Sequence, residues 1–262
     1  MKYGLLAFAG AVLLAACAAP ITPAPTLTAS PLPSATPSPQ PRSTATQTPS
    51  ATPIPLTSVC SPLVDHALTD LHKYVSQPFI ASQGSNKETG HHGVDFAYYS
   101  RDGVGGPLEG NPIQSALDGT MAGLGYNAVY GNYLIIETPF ERLPAELAAL
   151  YPMQKGESLY LLYAHMQDLA PFEIREPLDC GQQIGQVGQS GRQPDLIAEA
   201  HLHFETRVGP SGVFIEPMAF YDTQASEAEK QEYIKWRSSG TFLPFDPFLL
   251  LDYGAQFEVI SG

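Results

Sequence analysis

Two runs, Tyr133-Leu134-Ile135-Ile136-Glu137 and Leu159-Tyr160-Leu161-Leu162-Tyr163, are typical of the region between Gly90 and about Gly209. Both are short and apolar, and they contain the β-branched and aromatic residues that favour strands. Five further runs of this kind lie at 94–97, 112–116, 120–122, 184–187 and 202–205, with glycines between them. Short strands joined by tight glycine turns predict a mainly β fold, an antiparallel sheet or sandwich.

A few peripheral helices are predicted around these strands. Ser61-Pro62 supplies an N-cap and a proline at the first helical position, which predicts a helix over residues 62–75. Residues 144–151 have helical spacing and interrupt a hairpin. Ser226, with Glu229 as its capping-box partner, predicts a last helix that ends near residue 240. Residues 242–248 carry aromatics and two prolines, and we expect them to pack as a flap over the sheet.

Composition divides the chain into two parts. Of the 40 residues from 18 to 57, 32 are Pro, Thr, Ser or Ala, and the only charged residue is Arg42. Such a segment buries too little apolar surface to offset its chain entropy. Residues 58–262 hold all 26 acidic residues against 11 Lys and Arg. This excess of negative charge excludes nucleic-acid binding, because a phosphate backbone attracts clustered Lys and Arg.

The first 17 residues predict export. Lys2 precedes a 12-residue apolar run that would span roughly 18 Å as a helix, well short of the ~30 Å hydrocarbon core of a bilayer. The run therefore indicates a signal peptide. Its ending, Leu14-Ala15-Ala16-Cys17, resembles the bacterial lipobox, which implies an extracytoplasmic lipoprotein anchored in a membrane through Cys17. The alternative is an ordinary secretory signal that is cleaved nearby.

The domain organisation follows from these segments. We expect a lipoprotein signal peptide over 1–17, a disordered linker over 18–57 and a folded domain over 58–262, with its core at about 90–217 and a C-terminal extension over 218–262. The linker is a spacer, or else disorder with no required length. In an exported chain the two remaining cysteines, Cys60 and Cys180, are expected to form a disulfide, the alternative being two buried free thiols.

Histidines supply the candidate chemistry. His201 and His203 are two residues apart, so on a strand both side chains lie on one face and can share a site. His91 and Asp95 would be about 13 Å apart on a straight strand, and Gly93 is the residue that could bend the path between them. Imidazole and carboxylate groups bind Zn²⁺, and a catalytic zinc site keeps three protein ligands and one open position. These residues alone leave open which histidines bind the metal.

The order of these elements along the chain resembles the lysostaphin and LytM type of zinc endopeptidase, which cuts peptide bonds in peptidoglycan. The resemblance covers about residues 90–217 and rests on four elements in order, namely His91-x-Gly93-x-Asp95, Tyr163-x-His165, the glycine-rich segment 181–191 and His201-Leu202-His203-Phe204-Glu205. It also includes the segment 111–119. The insertion at 140–158 and the extension after residue 217 depart from the family pattern and affect the expected substrate groove.

This resemblance implies a role for each residue. His91, Asp95 and His203 would bind one Zn²⁺ per chain, and His165 and His201 would be unligated catalytic histidines that handle the proton and the oxyanion. The expected protein is a monomeric zinc metalloendopeptidase that acts on peptidoglycan peptides. Two alternatives stay open, a catalytically silent module of the same fold that binds peptidoglycan or regulates another hydrolase, and a cysteine peptidase that uses Cys180. His92 is expected to be a neighbour of the site, and His66 and His72 are expected at the surface.

Overall fold

The computed structural model describes residues 58–84, 87–101, 103–169, 171–191 and 199–258. Within these ranges the strands are β1 (Val75–Gln77), β2 (Val94–Phe96), β3 (Tyr98–Arg101), β4 (Val104–Pro107), β5 (Pro112–Gln114), β6 (Gly119–Asn127), β7 (Gly131–Pro139), β8 (Glu157–Met166), β9 (Pro177–Leu178), β10 (Gln183–Gln186), β11 (Leu202–Pro210) and β12 (Leu243–Phe245). The helices are α1 (Ala145–Ala148), α2 (Glu227–Arg237) and α3 (Phe248–Glu258), with 3₁₀ turns at Leu68–Tyr74 and Phe140–Arg142. The signal peptide, Cys17 and the linker predicted over 1–57 lie outside these residues.

One antiparallel sheet dominates the described residues. Its strand order is β1-β2-β11-β8-β7-β6-β9, and β12 pairs with β11 beyond the end of β2. The pairs β5–β10 and β3–β4 form two small separate sheets, also antiparallel. All seven predicted strand runs overlap observed strands. The predicted mainly β fold with a few peripheral helices is therefore confirmed.

The central sheet is buried on both faces, which explains why its strands are almost continuously apolar. On one face, Phe204, Tyr163 and Leu161 pack with α3 and the 3₁₀ turn at Leu68–Tyr74. On the other face, Tyr160 and Leu162 pack against α2 and the residues around it. Because side chains alternate along a strand, the odd-numbered residues of β11 from 203 to 207 lie on this second face, which is the face of the candidate site.

The helix predicted over residues 62–75 is wrong over its first half. Leu63 instead pairs with Ile113, and the backbone amides of Cys60 and Val64 donate to carbonyls around β5. Asp65 adopts a positive φ of 64°, which ends any helical path, and only the 3₁₀ turn at Leu68–Tyr74 follows. The long-range pairing with β5 outweighs the local helix signal of Ser61-Pro62.

The C-terminal predictions have a mixed outcome. The last predicted helix is confirmed as α2, including the capping box between Ser226 and Glu229. The flap predicted over 242–248 is wrong, because Leu243–Phe245 forms β12 and extends the sheet at the edge of β11. The helix α3 was not predicted. Its Gly254 lies where a Cβ would contact Val59 at 2.7 Å, so the glycine lets α3 pack closely against the start of the domain.

Two further features of the domain were anticipated from the sequence. The insertion between β7 and β8 contains the short helix α1, as predicted. Cys60 and Cys180 are joined by a disulfide across 120 residues of sequence, with their Cα atoms 5.7 Å apart. Among the described residues, no helix is long and apolar enough to cross a membrane.

Candidate metal centre

Three side chains, from β2, from β11 and from the residues just before β2, converge at one end of the sheet. His91 Nε2 lies 3.2 Å from Asp95 Oδ1 and 3.1 Å from His203 Nδ1, and His203 Nδ1 lies 2.8 Å from Asp95 Oδ1. Asp95 and His203 are buried and His91 is partly exposed. Two ring nitrogens and one carboxylate oxygen therefore form a nearly equilateral triangle.

The strand register builds this triangle. Asp95 in β2 lies directly opposite His203 in β11. His91 lies just before β2, where its backbone forms a two-way bridge with Ile80. The chain between His91 and Asp95 does not run straight, which brings their side chains into contact instead of the ~13 Å of a straight strand.

In both histidines, the ring nitrogen that points away from the triangle makes a hydrogen bond that fixes the orientation of the nitrogen within it. His91 Nδ1 donates to the carbonyl of Pro78 at 2.9 Å, and His203 Nε2 donates to Glu205 Oε1 at 3.0 Å. Once His203 Nδ1 gives up its proton, as metal binding requires, His91 Nε2 and His203 Nδ1 face each other as lone pairs beside Asp95 Oδ1. Three acceptors this close together are favourable only around a shared positive charge. This is the second-shell pattern of histidines that bind a metal.

The size and charge of the cluster fit Zn²⁺. Ligand atoms about 2.0–2.1 Å from a tetrahedral ion lie about 3.3 Å apart, close to the distances within the triangle. The electrostatics agree, since burial opposes a charged imidazole but the carboxylates of Asp95 and Glu205 raise the pKa of His203 to about 9. The cluster therefore favours positive charge, and its nitrogen and oxygen donors are those that zinc accepts.

His165 and His201 lie beside this triangle. Their ring centroids are 4.5 Å apart, and His201 Nε2 is 3.8 Å from Asp95 Oδ2. His165 Nδ1 donates to the carbonyl of Ser190 and His201 Nδ1 donates to the carbonyl of Glu199, both at 2.8 Å. Within the described part of the chain, Nε2 of each ring makes no hydrogen bond. Burial, and then the nearby His201, lower the pKa of His165 to about 3, so its ring is neutral at neutral pH.

The backbone holds His165 in an unusual conformation. Its φ is 57°, a left-handed value for a non-glycine residue, and its amide donates to the carbonyl of Tyr130 at 2.8 Å. The carbonyl of Ser190 that holds its ring passes close to Gly131, where a Cβ would lie 2.2 Å from that oxygen. Positive φ values are sterically costly and are concentrated at functional sites, where the surrounding structure maintains them. The loop around Gly131 therefore positions His165.

Glu205 and Arg207 are a charged pair behind the ligands that the sequence did not reveal. Both side chains are fully buried, and Arg207 Nε donates to Glu205 Oε2 at 2.6 Å. Charged residues that alternate along a strand usually indicate a solvent-exposed face, so the sequence pattern does not predict that this pair is buried. Arg207 Nη2 also donates to His92 Nδ1 at 2.9 Å, so His92 lies next to the site and outside the ligand triangle.

The last two histidines lie away from the triangle. His72 is exposed and contacts Asp252 at 2.7 Å. His66 is half-buried and contacts Asn111, instead of lying free at the surface as expected.

Comparison with known proteins fits this geometry. Residues 89–217 match the model of peptidase family M23. The chain carries a domain of this family. M23 peptidases are zinc-dependent, and all five residues described above, the three of the triangle and His165 and His201, lie within the matched range. The likeness to lysostaphin and LytM predicted from the sequence is thereby confirmed at the level of the family. No protein of curated function matches the chain.

Solved structures of other peptidases match part of this chain. The catalytic domain of the antimicrobial peptidase lysostaphin from Staphylococcus simulans is 17% identical, with a TM-score of 0.38 over 72% of this chain and 99% of that domain. A zinc-containing peptidase from Vibrio cholerae is 22% identical, with a TM-score of 0.36 over 58% of this chain. The match spans only 37% of the Vibrio cholerae chain.

Proposed function

We propose that this M23 domain is a zinc-dependent endopeptidase that hydrolyses peptide bonds in bacterial cell-wall peptidoglycan. The observation that carries the proposal is the pair His165 and His201 beside an intact three-ligand set, because a domain that had lost catalysis would have no need of both. His91 Nε2, Asp95 Oδ1 and His203 Nδ1 would hold the ion.

A bound Zn²⁺ would supply Lewis acidity, lowering the pKa of water and polarising the scissile carbonyl. The chain must supply a proton acceptor, and it has no H-E-x-x-H glutamate for the purpose. His201 Nδ1 is held by the carbonyl of Glu199, which leaves Nε2, 3.8 Å from Asp95 Oδ2 at the edge of the triangle, as the nitrogen that can accept a proton. We assign proton transfer to His201 and stabilisation of the oxyanion to His165. Because Nδ1 of His165 keeps its proton on the carbonyl of Ser190, donation from Nε2 requires a second proton taken up from solution. The negative charge of the oxyanion would favour this charged ring against the burial that otherwise keeps it neutral. The geometry also permits the two roles to be exchanged.

The proposed location follows from the N-terminal sequence. A lipid on Cys17 would hold the mature chain at a membrane, on its extracytoplasmic side. As polyproline II, the 40-residue linker would reach at most about 120 Å at ~3.1 Å per residue. The domain would then act on cell wall within that distance of the membrane, as a monomer.

The test is digestion of defined muropeptides by the purified chain from residue 18 onward, loaded with Zn²⁺. We expect new fragments whose masses sum to the substrate plus one water, with a free amine and a free carboxyl at one peptide bond. Addition of a chelator should stop their release. Cleavage of the glycan strand in place of a peptide bond would contradict the endopeptidase proposal. The absence of any cleavage, across several peptidoglycan chemotypes, would contradict it and favour the silent module.

A further inference from the structure

Strand β11 carries a line of polar residues into the interior. His203, Glu205 and Arg207 alternate on the face covered by α2, and the side chains of Glu205 and Arg207 have no exposed surface. Of these three, only His203 belongs to the triangle that would hold the proposed ion. Burying a carboxylate and a guanidinium carries a large desolvation cost, and the roles assigned above to the ligands and to His165 and His201 do not account for either group.

The two oxygens of Glu205 have different partners. Oε1 accepts hydrogen bonds from His203 Nε2 and from the hydroxyl of Tyr130, each at 3.0 Å. Oε2 accepts from Arg207 Nε at 2.6 Å. One oxygen is therefore directed at a proposed ligand and the other at a buried cation, so the carboxylate cannot rotate without losing one of these contacts.

Arg207 is in turn fixed by the C-terminal extension. Its Nη1 donates to the carbonyls of Trp236 at 2.8 Å and Phe242 at 3.2 Å, and its Cζ lies 4.9 Å from the centre of the Trp236 ring. Arg237, at the end of α2, places Nη1 3.8 Å from Glu205 Oε1. Trp236, Arg237 and Phe242 lie after residue 217, outside the matched M23 range.

We propose that Glu205 is the positioning residue of the metal centre and that the C-terminal extension is what holds it in place. Glu205 keeps the His203 ring in the tautomer and orientation that direct Nδ1 toward Asp95. Arg207 and Arg237 compensate the buried carboxylate, and α2 with the segment that follows it holds both guanidinium groups. The extension is thus part of the metal centre. This inference rests on the proposed zinc site.

The experiment measures zinc affinity by competition with a chromogenic chelator, together with the melting temperature of the metal-free protein. Glu205→Gln keeps the size of the side chain but loses its charge and its pairing with Arg207. Glu137→Gln is the matched control, since Glu137 is also a buried carboxylate of the central sheet and accepts hydrogen bonds from Ser158 and the Gly212 amide. We expect about 10- to 100-fold weaker zinc binding for Glu205→Gln, and wild-type affinity for Glu137→Gln.

A second pair of variants tests the extension directly and applies even where Glu205→Gln does not fold. Arg237→Gln removes the cation near Glu205, whereas Lys235→Gln, on the same helix, removes a partner of Glu232 alone. We expect several-fold weaker zinc binding and an altered Co²⁺ absorption spectrum for Arg237→Gln only. Affinities and spectra equal to those of Lys235→Gln would overturn the inference. A wild-type chain that binds no zinc would instead overturn the proposed function.

Discussion

Gly93 lies against the ring of His203. A Cβ at residue 93 would be 2.9 Å from His203 Cε1 and 3.0 Å from its Nε2, and it would also lie 2.5 Å from the carbonyl oxygen of Phe204. The glycine is therefore required by space, since any side chain would displace either the ring or the strand that carries it. The sequence predicted a bend at Gly93, and the structure adds this steric requirement.

Gly93→Ala should weaken zinc binding by about tenfold or more, because the added methyl group moves His203 away from its hydrogen bond with Glu205. Overpacking should also destabilise the fold by roughly 1–3 kcal/mol. Gly106→Ala in β4 is the control, since its Cβ would meet only ordinary contacts with Tyr99. Chelator competition on both variants measures the difference, and equal zinc affinities would show that the ring tolerates the methyl group.

The ligand assignment predicts how zinc content responds to substitution. Purified wild-type chain should hold about one zinc per chain, and His91→Ala and His203→Ala should lose it, because two ligands cannot retain the ion at comparable affinity. His201→Ala should keep its zinc, since His201 Nε2 lies outside the triangle. Elemental analysis after dialysis measures all four proteins. Zinc loss from His201→Ala equal to that from His203→Ala would reverse the assignment within the H-x-H pair.

The disulfide should contribute to stability through the length of the loop that it closes. Joining Cys60 to Cys180 across 120 residues constrains the unfolded chain by roughly 4 to 5 kcal/mol in the loop-entropy model. Cys60→Ser/Cys180→Ser should therefore melt at a clearly lower temperature than the oxidised wild type. Mass spectrometry of unreduced tryptic peptides should find the two cysteine peptides joined. Two free thiols in protein from an oxidising compartment would refute the pairing.

Most of the sheet could be predicted because its central strands are long, apolar and buried on both faces. The strands that were missed are short and poor in strand-forming residues, such as Val104–Pro107 and Pro177–Leu178, and their partners determine them. The first predicted helix failed for a related reason, since the pairing of Leu63 with Ile113 outweighs a local N-cap signal. In each case long-range contacts, which a local pattern does not contain, decide the structure.

The site shows the same division. The spacing of His201 and His203 predicts that they share a face. Only the strand register, which places His203 opposite Asp95, distinguishes the proposed ligand from its neighbour. Glu205 and Arg207 could not be predicted, because alternating charges on a strand look the same in a sequence whether they face water or are buried in pairs. Their burial depends on α2, which begins 20 residues after Arg207.

The lipobox predicts how the chain is retained in the cell. Cys17→Ser should shift the protein out of the membrane fraction, because it removes acyl chains that supply roughly 0.8 kcal/mol of anchoring per buried methylene. Immunoblots of membrane and soluble fractions measure the shift. Ala18→Ser, next to the cysteine, is the control and should stay at the membrane. A Cys17→Ser protein that still sediments with membranes would contradict lipidation at this residue.

The decisive prediction concerns His165 and His201, whose rings lie 4.5 Å apart beside the ligand triangle. If they handle the proton and the oxyanion, His165→Ala and His201→Ala should each slow muropeptide hydrolysis by about a hundredfold or more. Neither is in the triangle, so both variants should stay zinc-loaded and should still sediment with peptidoglycan. His72→Ala is the control, since its exposed ring contacts Asp252 and stacks on Phe248 on the α3 side of the sheet, opposite the face of the site, and its rate should equal that of the wild type. A wild-type chain that binds sacculi but releases no more fragments than the His165→Ala and His201→Ala variants would identify the domain as a silent binding module.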